Sequence, residues 1–145
     1  MTKMFLIFSH RLTEEQVDEA EQIFKIDEFV YLPADLQYIW SNIPPEGKLN
    51  KGYLDGIKNF LLSNSKENDY VLVQGEYGVT YLMIKWCFEN NLIPIYSTTK
   101  RVYEFAKNDN GTIENKHTFK HVNFRLYKNN LWKLHKLQKW EIWGW

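Results

Sequence analysis

The sequence predicts an α/β protein: a small Rossmann-like, mainly parallel sheet flanked by helices, with a β-hairpin and a tryptophan-rich C-terminal tail appended. Three observations predict it. Short apolar runs of strand length alternate with stretches of helical period, which is the pattern of β-α-β units. Those runs open into polar or glycine-bearing loops, as strand ends do in such sheets. Past residue 100 the period becomes two, on either side of an Asn110-Gly111 pair.

Met4-Phe5-Leu6-Ile7-Phe8 is a continuous apolar run stopped by Ser9-His10, the signature of a strand buried on both faces. Thr13 and Gln16 have capping-box spacing, Leu12 and Val17 can staple across it, and Val17, Ala20, Ile23 and Phe24 follow one helical face. Phe29-Val30-Tyr31-Leu32 reads as a second strand ended by Pro33. A short helix carrying Leu36, Ile39 and Trp40 is broken at Pro44-Pro45. Leu54, Ile57, Phe60 and Leu61 mark the next helix. Tyr70-Val71-Leu72-Val73 is a third strand that runs into Gln74-Gly75-Glu76-Tyr77-Gly78. The following helix places Val79, Leu82, Met83 and Trp86 on one face and stops at Asn90-Asn91, a left-handed signal. Ile93-Pro94-Ile95-Tyr96 is a fourth strand, ending in Ser97-Thr98-Thr99-Lys100-Arg101.

Residues 101–128 form a hairpin about a type I′ turn at Asn110-Gly111. On its second strand the two-residue period puts Val122, Phe124 and Leu126 on one face and His121, Asn123, Arg125 and Tyr127 on the other. Residues 129–145 hold four of the six Trp, interleaved with Lys, and are expected to pack on the core or on a dimer partner. A membrane or single-stranded nucleic acid is the other occupant that such a tail fits. The 145 residues suit a single domain.

Composition excludes several classes. With 18 Lys+Arg against 18 Asp+Glu the net charge is zero, which argues against long nucleic acid as a partner. Aromatics at 17% fill a real core and exclude disorder. No apolar run reaches a membrane span, and 1–9 is too short for a signal peptide, so no membrane partner and a cytoplasmic location are expected. The single Cys87 excludes an internal disulfide and a cysteine zinc cage, and lies among apolar residues as core. The zero is unevenly distributed: residues 1–94 hold 8 Lys/Arg against 14 Asp/Glu, and residues 95–145 hold 10 against 4. Basic groups for an anion lie late in the chain.

Three strand ends carry the candidate chemistry. Ser9, His10 and Arg11 follow the first strand, with His10 as a candidate acid/base group. Gln74, Gly75, Glu76, Tyr77 and Gly78 precede a helix, where backbone N–H groups can seat a phosphate; Glu76 is either a base or a cap. Thr98 and Thr99 offer hydroxyls beside Lys100 and Arg101, which suit phosphate charge. His121 and Arg125 share a predicted strand face. No pair of side chains has metal-ligand spacing, so neither metal nor cofactor is expected.

At these strand ends the sequence resembles the small Csx-type accessory proteins of CRISPR systems, the family numbered twenty in that series. The stretches that carry the likeness are Phe5-Leu6-Ile7-Phe8-Ser9-His10, Leu12-Thr13-Glu14-Glu15-Gln16, Tyr31-Leu32-Pro33-Ala34-Asp35-Leu36-Gln37 and Trp40-Ser41-Asn42-Ile43-Pro44-Pro45-Glu46. They continue with Val71-Leu72-Val73-Gln74-Gly75-Glu76-Tyr77-Gly78, then residues 92–101 and 119–127. Glu76-Tyr77 stands where the family pattern has Asp-Phe, and Ser97 where it has Ala. The resemblance implies a CARF-like domain and a homodimer. It also implies a ring nuclease of type III CRISPR immunity, which binds cyclic tetra-adenylate and linearises it by attack of a ribose 2′-hydroxyl. On that reading His10, Lys100, Arg101 and His121 are the catalytic candidates. Ser9, Arg11, Gln74, Gly75, Glu76, Tyr77, Gly78, Thr98, Thr99 and Arg125 are the ligand-binding ones. The alternative is a sponge or sensor that binds the ring without cutting it.

Overall fold

The computed structural model describes residues 1–129. The opening apolar run forms β1 (Lys3–Ile7), in which Met4, Phe5, Leu6 and Ile7 have no exposed surface. α1 (Glu14–Gln22) starts at the capping box: the Gln16 N–H donates to Thr13 Oγ1 at 3.3 Å, and the Thr13 N–H donates to Gln16 Oε1 at 2.9 Å. Hydrogen bonds to its own backbone N–H and then to Thr13 hold the Glu15 carboxyl below the ordinary carboxylate range. β2 (Glu28–Tyr31) leads into α2 (Ala34–Ser41), a 3-10 turn (Lys51–Leu54) and α3 (Asp55–Asn64). β3 (Tyr70–Val73) leads into α4 (Tyr77–Glu89), and the left-handed residue that ends this helix is Asn91, at φ 58°. β4 (Ile93–Lys107) and β5 (Ile113–Leu126) complete the described chain.

The sheet order is β2-β1-β3-β4-β5, parallel throughout except for the last pair. The path moves one way from β1 to β2 and the other way thereafter, so right-handed crossovers put α1 on one face and α2, α3 and α4 on the other. The packing follows. Met4, Leu6, Leu72 and Ile95 meet Ala20 of α1 and Phe124. Phe5, Ile7, Val71 and Val73 meet Trp40, Ile57, Leu61, Val79, Met83 and Cys87. Cys87 is fully buried, which pushes its thiol up to about 12. The order reverses at β1, so the crevice for a ligand lies at the carboxyl ends of β1 and β3.

Two expectations about the C-terminal half are corrected. The fourth strand does not stop at 97–101; it continues into the first strand of the hairpin as one 15-residue strand. Ser97, Thr98, Thr99, Val102 and Tyr103 include good strand formers with no breaker among them, and their polarity had the look of a loop. β3 accompanies β4 only from Tyr70↔Ile93 to Leu72↔Ile95, so beyond that point β4 and β5 stand as a two-stranded arm. The turn is also not type I′, which needs positive φ at both central residues. Among the described residues only Gly111 of the pair has it, at 83°. The connection spans five residues: the Gly111 N–H donates to Asn108 O at 2.9 Å and the Asn108 N–H to Thr112 O at 2.8 Å. The tail beyond Asn129 lies outside the described residues.

Among the described residues no helix is long and apolar enough to cross a membrane. After β5, the Tyr127 hydroxyl donates to Val73 O at 2.7 Å, closing the end of β3. Burial, and then the neighbouring Tyr96 phenol, push the Tyr127 hydroxyl from 10.0 up to about 12. A folded-state value raised in this way contributes stability that is fully present below 10 and is lost as pH rises towards 12. Tyr127→Phe is expected to cost about 1 kcal/mol at neutral pH. Chemical unfolding should show the gap between wild type and variant closing across that alkaline window; a gap of constant size contradicts the assignment.

Candidate functional site

Gln74, the first residue after β3, holds the carboxyl edge of the sheet together. Its N–H donates to Ile7 O at 3.1 Å, its carbonyl accepts from the Trp40 indole N–H at 3.1 Å, and its Oε1 accepts from the Ser97 N–H at 2.8 Å. β1, α2 and β4 thus converge on one residue. Beside it, Gln37 Nε2 donates to Phe8 O at 3.0 Å and to Ser41 Oγ at 2.9 Å, and Ser41 Oγ lies 2.9 Å from Ser9 Oγ. A cleft of about 340 Å³ opens here, lined by Ser9, His10, Arg11, Tyr31, Leu32, Ala34 and Gln37. The Arg11 guanidinium sits over the Tyr31 ring at 4.7 Å. His10 is exposed and lies edge-on to the Phe8 ring, 6.1 Å between centroids.

The glycine loop has packing reasons of its own. A Cβ on Gly75 would lie 2.8 Å from the Trp40 indole, and one on Gly78 would lie 2.8 Å from Leu49 Cδ2. Both glycines therefore let a neighbouring side chain approach the backbone closely. Glu76 acts as the N-cap of α4, with Oε1 accepting from the Val79 N–H at 3.0 Å. The backbone N–H groups of Gly75, Glu76, Tyr77 and Gly78 have no acceptor among the described residues. They sit at the positive end of a 13-residue helix, an anion-receptive arrangement. The Tyr77 side chain beside them is 93% exposed.

On the arm, Lys100 and Arg101 point to opposite faces. Lys100 stands directly opposite Lys120, on the α4 side of the sheet with Thr98. Arg101 stands opposite Phe119 on the α1 side, its guanidinium 5.3 Å from the ring centroid, and exposed Thr99 shares that side. Thr98 Oγ1 donates to Asn123 O at 2.9 Å.

A bulge then changes what His121 can do. Thr98 pairs with Asn123 and Thr99 with His121, leaving Val122 without a partner. His121 is thereby turned to the α1 side with Phe124, their ring centroids 4.6 Å apart, and away from Arg125, with which the two-residue period grouped it. His121 Nδ1 is 2.5 Å from Ser97 Oγ and Nε2 is 2.6 Å from Glu19 Oε1; its side chain is only 4% exposed. Gln16 Nε2 donates to the same Ser97 hydroxyl at 3.3 Å, and the Glu19 carboxylate accepts the Phe124 N–H at 2.9 and 3.0 Å. The order Ser-His-Glu is that of a hydrolase relay. Here the hydroxyl is buried and already committed on two sides, so the chain of bonds pins α1 to β4 and β5 instead.

Arg125 lies elsewhere. With Tyr127, Phe88, Leu92 and Asn68 it lines a cavity of about 600 Å³ near the amino ends of β3 and β4, away from the carboxyl edge. The structure therefore places Ser9, His10 and Arg11 at one cleft after β1 and the 74–78 loop after β3, with Gln74 bonded to Ser97 of β4. Thr98 and Lys100 lie further along β4 on the α4 side, Thr99 and Arg101 lie on the α1 side, His121 is buried, and Arg125 lines a separate cavity. Sequence reasoning missed Gln37, Ser41, Lys120 and Glu19. The polar pair Gln37/Ser41 at i,i+4 beside Trp40 was a usable signal. Among the described residues no three His, Cys, Asp or Glu side chains gather as a metal site.

Sheet order and crevice define a Rossmann-like α/β protein with polar groups at its topological switch point. The chain belongs to the Uncharacterized protein MJ1673 family, whose model matches residues 2–125. It is 51% identical over 127 residues to "Uncharacterized protein MJ1673" of Methanocaldococcus jannaschii, an alignment that covers 88% of this chain and 98% of that protein. No solved structure matches. His121→Ala strands a buried hydroxyl and a carboxylate, and is expected to lower stability by about 1–3 kcal/mol. Urea unfolding measures this; an unchanged midpoint would refute the pinning role.

Proposed function

We propose that this protein is a cytoplasmic ring nuclease that binds cyclic tetra-adenylate and linearises it without a metal, ending a type III CRISPR signal. The sequence resemblance names the ligand, and one observation supports it above the others. Four N–H groups at the start of α4, next to the switch point, have no acceptor among the described residues, and Lys100 and Lys120 lie on the α4 side of the sheet. Like charges directly opposite on a ladder destabilise it unless an anion lies between them. A phosphate ring supplies such anions, and a compact one needs only a few cations, which suits a chain of zero net charge.

The chemistry needs geometry more than reagents. The 2′-oxygen of one ribose attacks the adjacent phosphorus in line, the bond from phosphorus to the 5′-oxygen breaks, and a 2′,3′-cyclic phosphate forms. The proton lost from the 2′-hydroxyl is balanced by one gained at the 5′-oxygen. The loop N–H groups and Lys100 stabilise the phosphorane charge. His10, exposed and without a hydrogen-bond partner among the described residues, moves the proton. Tyr77 stacks on an adenine, and Ser9, Arg11 and Gln37 line the neighbouring cleft.

Sequestration without cleavage is the second reading. Its support is that His121 is locked in the internal chain of bonds, which leaves His10 as the one candidate imidazole facing the site. Incubation of cyclic tetra-adenylate with excess protein in EDTA, resolved by chromatography, separates the two. The expected product is linear with a 2′,3′-cyclic phosphate, and His10→Ala should slow its formation by about 10²-fold or more. Lys100→Ala with Lys120→Ala should weaken ring binding about tenfold. An intact ring at high protein excess sinks the nuclease reading and leaves the sponge.

A further inference from the structure

We propose that Asn110, in the turn between β4 and β5, is a self-modification site at which the chain converts its own asparagine to isoaspartate or aspartate without an enzyme. Asn110-Gly111 is the one Asn-Gly pair in the 145 residues. Both residues are exposed, and a Cβ on Gly111 would meet nothing within 4 Å, so among the described residues no side chain crowds the peptide that joins them. The Thr112 N–H donates to Asn110 Oδ1 at 3.1 Å, and the Thr112 hydroxyl donates to the same oxygen at 2.6 Å. Asn108 Nδ2 in turn donates to Thr112 Oγ1 at 3.0 Å, which leaves the Thr112 hydroxyl proton for Asn110. The ring closed by the Thr112 N–H bond encloses the Gly111 nitrogen. The carboxamide carbon and the nitrogen that can attack it are thus held in one small loop of atoms.

These are the parts of an acyl transfer. The Gly111 nitrogen gives its proton to hydroxide and attacks Asn110 Cγ, closing a five-membered succinimide. The bond from Cγ to Nδ2 breaks, and the nitrogen leaves as ammonia with a proton taken from water, which regenerates hydroxide. Water then opens the succinimide: attack at the side-chain carbonyl gives aspartate, and attack at the backbone carbonyl gives isoaspartate. Negative charge develops on Oδ1 as the ring closes, and both Thr112 donors already point at that oxygen. One bond opposes the reaction. The Gly111 N–H donates to Asn108 O at 2.9 Å, and giving up a neutral bond of this kind slows the step about tenfold. A single donor on a developing oxyanion is worth about 10²–10³-fold in a dry site. Two such donors outweigh the one opposing bond even where water weakens each of them. Either product sets a new carboxylate beside Asp109 and lowers the formal net charge of zero by one. Isoaspartate also inserts a carbon into the connection that the Asn108 N–H to Thr112 O bond closes at 2.8 Å.

Ring binding and cleavage play no part in this chemistry. The full folded chain, kept at mildly alkaline pH and sampled over days, should gain the mass of an NH2-to-OH exchange and release ammonia in equal amount. Peptide mapping should place the change at residue 110, and an isoaspartyl methyltransferase supplied with labelled S-adenosylmethionine should mark that peptide. Thr112→Val should slow the conversion about tenfold with an unchanged far-UV spectrum. Thr112→Ser, which keeps the hydroxyl, should retain the wild-type rate within a few-fold. An unconverted residue 110 in the aged wild type overturns the proposal. So does conversion of Thr112→Val at the wild-type rate, or of Thr112→Ser at the rate of Thr112→Val.

Discussion

The backbone of a parallel sheet runs out of partners where its strands end, and at the carboxyl edge of this sheet Gln74 supplies them. Its three bonds, to Ile7, Trp40 and Ser97, each fix a different element. Trp40 can reach the Gln74 carbonyl only because Gly75 presents no Cβ to its indole. α2 so placed carries Gln37 and Ser41 to the end of β1. On the other side the bonds pass from the Ser97 hydroxyl through His121 and Glu19 to the Phe124 N–H. One connected set of polar contacts thus runs from the helical layer through the sheet edge to α1. Buried members of such a set are costly to leave unpaired, which makes the edge rigid.

That rigidity decides what is free to meet a ligand. Glu76, His121, Ser97 and Gln74 are occupied by the fold, while His10, Tyr77 and Lys100 are exposed and the N–H groups of residues 75–78 have no acceptor among the described residues. On the function proposed above, the nucleophile, the electrophile and the leaving group all belong to the ligand, and the protein's share would be position and charge.

The single extra residue Val122 has wide effects. Without it, His121 would share a face with Arg125 and the carboxyl edge would own a second imidazole. With it, the imidazole joins α1 to the hairpin and the arm departs from the sheet at a fixed register. The same stretch thus trades a candidate catalytic group for a mechanical joint.

Much was legible in the sequence because local chemistry settled it. β1 and β3 are apolar runs that only a two-faced burial explains, Thr13 and Gln16 cap a helix by contacts three residues apart, and the glycine loop lies between a strand and a helix by composition alone. Polar content hid the continuation of β4, because a solvated two-stranded arm and a loop have similar side chains. The order of the strands, the division of Lys100 from Arg101, and the capture of His121 by Glu19, 102 residues earlier in the chain, were settled only by the tertiary structure. Periodicity assumes an unbroken ladder, and a bulge is a property of two strands paired together. Within one strand's residues nothing records it.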